Sequence, residues 1–140
     1  VQELTAKYEK LPRDIAWHLI GHLQTNKVKY IAPFVQLIHS VDSYDLAVEI
    51  NKQAIKSNRV IAVLLQFHVA QEESKFGIKP ENAETVCKQI LKLPNIEIQG
   101  IMGMATLTDD QGLIRKEFRQ LKSIFENLKE QFFKNKKLFQ

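Results

Sequence analysis

The sequence predicts an α/β fold built on a parallel sheet, and three observations predict it. From Ile15 onward, short β-type runs alternate with amphipathic helical stretches, the pattern of repeated βα units. Two of those runs, IAVLL at residues 61–65 and the stretch 96–104, are largely apolar, as strands covered on both faces are. The last helical stretch carries one apolar stripe, Ile114, Phe118, Leu121, Phe125, Leu128 and Phe132, at alternating steps of four and three. Such a stripe is the face that a helix lays on a sheet.

The elements follow in order. A charged helical stretch opens the chain at residues 1–10. Strands are expected at 15–22, 37–41, 60–69 and 96–105, and helices at 25–32, 43–57, 80–93 and 112–133. Thr25 and Asn26 are cap candidates for the helix suggested by Val28, Ile31 and Ala32; Asp42 and Ser43 are candidates for the next. Pro80 suits a first helical position with Glu81 and Glu84 in the first turn, and Asp109 or Asp110 can cap the last helix. No linker or low-complexity tract divides the chain, so residues 1–140 read as a single domain with right-handed crossovers. The pattern leaves two architectures open, a doubly wound sheet and part of a (β/α)8 barrel. Neither a Gly-x-Gly-x-x-Gly turn nor a phosphate loop is present to favour the first.

Composition narrows the function classes. With 44% hydrophobic and 26% charged residues the chain has ordinary globular composition. No run approaches the ~18 to 20 apolar residues that cross a bilayer, and the reading is a soluble, cytoplasmic protein with no membrane partner. One cysteine, Cys87, excludes a disulfide framework and reads as a buried filler. The net charge of +4 owes part of its excess to Lys134, Lys136 and Lys137, a solvated helix end; without interleaved aromatics or a binding motif, no nucleic-acid role is expected. His18, His22, His39 and His68 lack helical metal-ligand spacing, and no metal site is expected.

Chemistry is expected where strands end. In WHLIGHLQTNK, residues 17–27, an apolar run stops at Gly21 and gives way to polar side chains, and Gln24, Asn26 and Lys27 stand where a helix N-terminus favours an anion. This block resembles the WHxIGxLQxNK signature of the YggS/PROSC family of pyridoxal 5′-phosphate (PLP) homeostasis proteins. Three more segments resemble that family in order: LIHSVDS at 37–43, VAQEESKFGI at 69–78 and IQGIMGMA at 98–105.

The resemblance implies the fold-type III barrel, similar to the N-terminal domain of alanine racemase, with this chain carrying its third through sixth strands. It also implies a middle section. The family's PLP lysine lies in a strand upstream of a "FGENxxQE" segment in which this chain begins, and its phosphate site lies in strands beyond the last helix. The implied function is PLP binding for cofactor homeostasis, without substrate turnover. The implied cofactor-facing residues are Ile20 against the ring, Gly21 for close backbone approach, Ser40 at the next strand end, Met104 at the end of the fourth, and Lys75. In related racemases an arginine stands near Lys75's place and a histidine near that of Met104; a methionine there offers packing without proton transfer, so no catalytic residue is expected. Two rival readings are a fold-type III enzyme such as an amino-acid racemase, and a cofactor-free interaction module. A full-length protein is expected to be monomeric, and a barrel fragment with two open strand edges to be marginally stable or to self-associate.

Overall fold

The computed structural model describes residues 1–72, 76–136 and 139–140. Helix α1 (Gln2–Lys10) precedes strand β1 (His18–Leu19), helix α2 (Val28–Ile31), β2 (Leu37–Val41), α3 (Tyr44–Lys56), β3 (Ile61–Phe67), α4 (Ala83–Ile90), β4 (Ile96–Gly103) and α5 (Gln111–Phe132). Single 3-10 turns, Thr25–Lys27 and Pro80–Asn82, lead into α2 and α4. The four strands form one sheet in the order β1-β2-β3-β4, and every neighbouring pair is parallel.

Helix α3 shows how sequence sets its own limits. The Ser43 hydroxyl accepts the Leu46 amide at 3.3 Å at the start. At the end, the Arg59 amide donates to Ala54 and the Asn58 amide to Ile55, with Asn58 in the left-handed region at φ 51°. This is a Schellman closure, and asparagine is among the few non-glycine residues that adopt it at low cost. Asp110 caps α5 through its Oδ1, which accepts the amides of Gly112 (2.9 Å) and Leu113 (3.1 Å). Thr25 and Asn26 are different: they sit inside the 3-10 turn, and neither caps α2, whose start has no side-chain cap.

All helical core residues gather on one face of the sheet. Ile61, Val63, Leu65 and Phe67 of β3 pack there with Ala47 and Ile50 of α3, Cys87 and Ile90 of α4, and Ile124 and Leu128 of α5. The opposite face holds a small separate cluster of Leu37, Ala62 and Leu64, against which Met102 packs, and among the described residues no helical side chain joins it. Consecutive strand order with helices on one face only is the arrangement of a barrel wall; a doubly wound sheet puts helices on both faces. Cys87 is buried, and burial pushes its thiol up to about 12.

Three details depart from the sequence pattern. The first strand is expected over eight residues but pairs over two, because it lies at the sheet edge and only His18 and Leu19 find partners on β2. The stripe of α5 is rotated: Phe118 is 47% exposed, and the buried positions are Glu117, Ile124 and Leu128. On the far edge, the Gln140 amide donates to the Gln99 carbonyl and the Ile101 amide to that of Gln140, both at 2.8 Å, so the last residue runs parallel to β4. Gly100 makes this approach possible, since a Cβ there would collide with the Gln140 carbonyl.

Candidate functional site at the carboxyl ends of the strands

Parallel strands point their carboxyl ends to one rim, and four of the five expected site residues are described there. Ile20 follows β1 directly and is 64% exposed; Gly21 beside it has open space where a Cβ would project. Met104, the residue after β4, is 49% exposed. Lys75 lies outside the described residues. Two large apolar side chains and a bare backbone segment therefore stand in solvent at the rim, where burial does not explain them.

Ser40 is placed differently. Only 1% of it is exposed, and its hydroxyl donates to the Gly21 carbonyl at 2.7 Å. The register between β2 and β3 shifts between Ile38 and Val41, so that both of these, three apart, enter the helix-side core. Within that irregular step the Ser40 hydroxyl reaches across to the end of β1 and fixes the Gly21 carbonyl.

Residues 76–78 return beside the end of β3 at the same rim. Gln66 of β3 is buried and its Nε2 donates to the Phe76 carbonyl at 3.0 Å. Ile78 bridges Phe67 in parallel, and Gly77, at φ 149°, passes so close to His68 that a Cβ would strike its backbone. The exposed ring of Phe76 stacks on His22 at 3.8 Å between centroids, and His22 Nδ1 lies 3.4 Å from Asp42 Oδ2. His22 thus has a carboxylate neighbour and an aromatic face at once. A depression of about 350 Å³ beside it is lined by Val1, Gln2, His22, Gln24 and Lys27; Asn26 is not among its walls.

Sequence spacing missed two features. His18 and His39 meet across β1 and β2, with Nδ1 and Nε2 3.0 Å apart. Their ring centroids are 5.2 Å apart, so the two nitrogens lie nearly on the line between the rings, as in one N–H···N bond. His39 is held below its ordinary value of 6.5, first by burial and then by the His18 charge. The signal was available only from register, because His18 pairs with Leu37, two residues before His39. The second is Glu117, a buried carboxylate on α5 that accepts from the amide and the hydroxyl of Thr106, each at 2.7 Å. Among the described residues, no group of three or more His, Cys, Asp or Glu side chains is arranged to hold a metal, and no helix is long and apolar enough to cross a membrane.

Residues 5–138 match the model of the alanine racemase N-terminal domain family. The chain is 42% identical over 133 residues to the pyridoxal phosphate homeostasis protein of Aquifex aeolicus, an alignment covering 94% of this chain and 58% of that one. It therefore spans little more than half the length of this curated relative. The solved structure of PipY from Synechococcus elongatus with PLP bound superposes with a TM-score of 0.79 at 29% identity, over 93% of this chain and 61% of that one. An alanine racemase of Clostridium difficile shares the fold, with a TM-score of 0.72 at 19% identity over 92% of this chain and 33% of that one. The four parallel strands are thus an arc of an alanine racemase-like barrel. The chain belongs to the alanine racemase N-terminal domain family and is similar, within it, to proteins named for pyridoxal phosphate homeostasis.

Proposed function

We propose that this chain forms one wall of a PLP site at the carboxyl ends of β1 to β4, in a protein that holds the cofactor for homeostasis without turning over substrate. The observation that carries the reading is the 42% identity, across nearly the whole chain, to a protein named for pyridoxal phosphate homeostasis. The geometry is compatible with it. Ile20 and Met104 offer exposed apolar surface to a flat ring, and Gly21 leaves room for a ligand against the backbone. Ser40 holds the Gly21 carbonyl in place, and Lys75 is the candidate charge partner.

When bound, PLP supplies an electrophilic aldehyde carbon and an electron-withdrawing ring. Ile20, Gly21, Ser40 and Met104 pack and orient; they do not move protons at the ring. A thioether at 104 has no proton to give, and the Ser40 proton is engaged by a carbonyl. Racemisation needs an acid or base on each face of the ring, and among the described candidates, Ile20, Gly21, Ser40 and Met104, none supplies one. The likeness to racemases carries fold alone. PLP as small-molecule ligand, a cytoplasmic location, a monomeric state and the absence of nucleic-acid or membrane partners belong to the same reading.

The test is a PLP titration of the longest native polypeptide that contains this sequence, followed by visible absorbance, with a racemisation assay beside it. Saturable uptake without loss of optical activity in added amino acids is expected. No uptake, or sustained turnover, would overturn the reading.

A further inference from the structure

Position 117 is an inward position of α5: Leu121, Ile124 and Leu128 follow it at helical spacing, and the last two are buried with it. An apolar side chain would serve that position at lower cost, because a buried carboxylate is tolerated only when its oxygens are bonded. Here both oxygens of Glu117 are used on one residue of the rim. Oε2 accepts the Thr106 amide and Oε1 accepts the Thr106 hydroxyl, both at 2.7 Å, short bonds of the charge-assisted kind. Having given its proton to Glu117, the Thr106 hydroxyl accepts the Gln71 amide at 3.0 Å. One residue further on each side, the Leu107 amide donates to Glu72 Oε1 at 3.2 Å. The chain of bonds therefore runs from an outer helix, through the loop after β4, into the loop after β3.

Those two loops carry the rim. Met104 is two residues before Thr106, and Gln71 and Glu72 follow β3 by four and five residues. We propose that Glu117, acting through Thr106, is a positioning residue that sets the loops after β3 and β4 against the bound cofactor; this rests on the PLP reading above. Glu117 touches no ligand itself. Its contribution is to tie Gln71 and Glu72 to Thr106 and Leu107, so that Met104 keeps a fixed spacing from the end of β3 at the ring.

The experiment compares four variants of the longest native polypeptide containing this sequence. Thr106→Val keeps the shape but removes the donor and the acceptor; Thr106→Ser keeps both. Glu117→Gln keeps the size and removes one acceptor. Leu128→Ala lies on the same helix away from the rim and reports on general loosening. Thr106→Val and Glu117→Gln are expected to weaken PLP affinity about fivefold or more and to shift the absorbance of bound PLP, with Thr106→Ser restoring both. Leu128→Ala is expected to lower the melting temperature and leave affinity and spectrum unchanged. Wild-type affinity and spectrum in Thr106→Val, or an equal spectral shift in Leu128→Ala, would overturn the proposal. If the wild type takes up no PLP, the functional reading fails with it, and hydrogen exchange then separates the two: unchanged amide protection at Gln71 and Thr106 in Thr106→Val shows that the brace itself is wrong.

Discussion

The two ends of this sheet use their polar groups in opposite ways. At the amino end, the Arg59 guanidinium donates to the Ala32 carbonyl at 2.7 Å, closing the C-terminus of α2. The Asn95 side chain donates to the Arg59 carbonyl at 2.8 Å, and its amide to Asn51 Oδ1 at 2.9 Å. Each of these bonds joins one βα unit to another. At the carboxyl end, Ile20, Phe76, Met104 and Leu107 stand exposed, and the bonds present, Ser40 to Gly21 and Glu117 to Thr106, hold backbone in position beneath them. The difference separates stability from function, as parallel βα folds do in general. The amino end is stitched shut; the carboxyl end is shaped and left open.

Variants at the two ends should therefore report on different quantities. The largest effect is expected from Arg59→Ala, which strips the Ala32 carbonyl of a charged donor and should cost about 2 kcal/mol in urea unfolding. PLP affinity should be untouched; a loss of affinity in step with stability would break the comparison. Ser40→Ala comes next. Removing one hydrogen bond should cost about 1 kcal/mol and, by freeing the Gly21 carbonyl, should also weaken PLP binding, which makes it the one substitution that moves both readouts. Ile20→Ser and Met104→Ser should change stability by no more than about 0.5 kcal/mol, because both side chains already stand in water, while weakening PLP uptake. Unchanged uptake in both would place the ring elsewhere.

The smallest effect is a pH dependence. His39 has a folded value below its ordinary 6.5, so below 6.5 the unfolded chain binds the proton more readily than the folded one. The stability that neutral His39 contributes is present above 6.5 and is lost as the pH falls from there toward the folded value. Urea midpoints should drop between pH 7.5 and 5.5, and His39→Gln should flatten that slope; an unaltered slope in the variant would remove the histidine pair from the account.

Much of this was legible in the sequence, and what was not has a common cause. The apolar runs of β3 and β4 and the caps Ser43 and Asp110 are local signals, and the structure places them where the pattern does. The length of β1 is not local: Ile15 to His22 has strand character throughout, but an edge strand lasts only as long as its partner offers bonds. The rotation of α5 is of the same kind. Six apolar residues spaced by three and four define a stripe, yet in the fold Glu117 is buried, bonded to Thr106, and Phe118 stands exposed. At the site, the resemblance to the PLP family named residues that the structure brings to one rim, whereas the bonds that organise that rim, involving Ser40 and Glu117, join residues 11 to 19 apart and have no periodic signature.

If these strands wall a PLP site, its covalent anchor is expected outside these 140 residues. Intact mass spectrometry after incubation with PLP and borohydride reduction tests it directly. For residues 1–140 alone no stoichiometric adduct is expected, and for the longest native polypeptide containing this sequence one PLP fixed on a lysine outside residues 1–140. A stoichiometric adduct on Lys27 or Lys75 would contradict it, since the cofactor would then be anchored on the wall that is assigned here only to hold it.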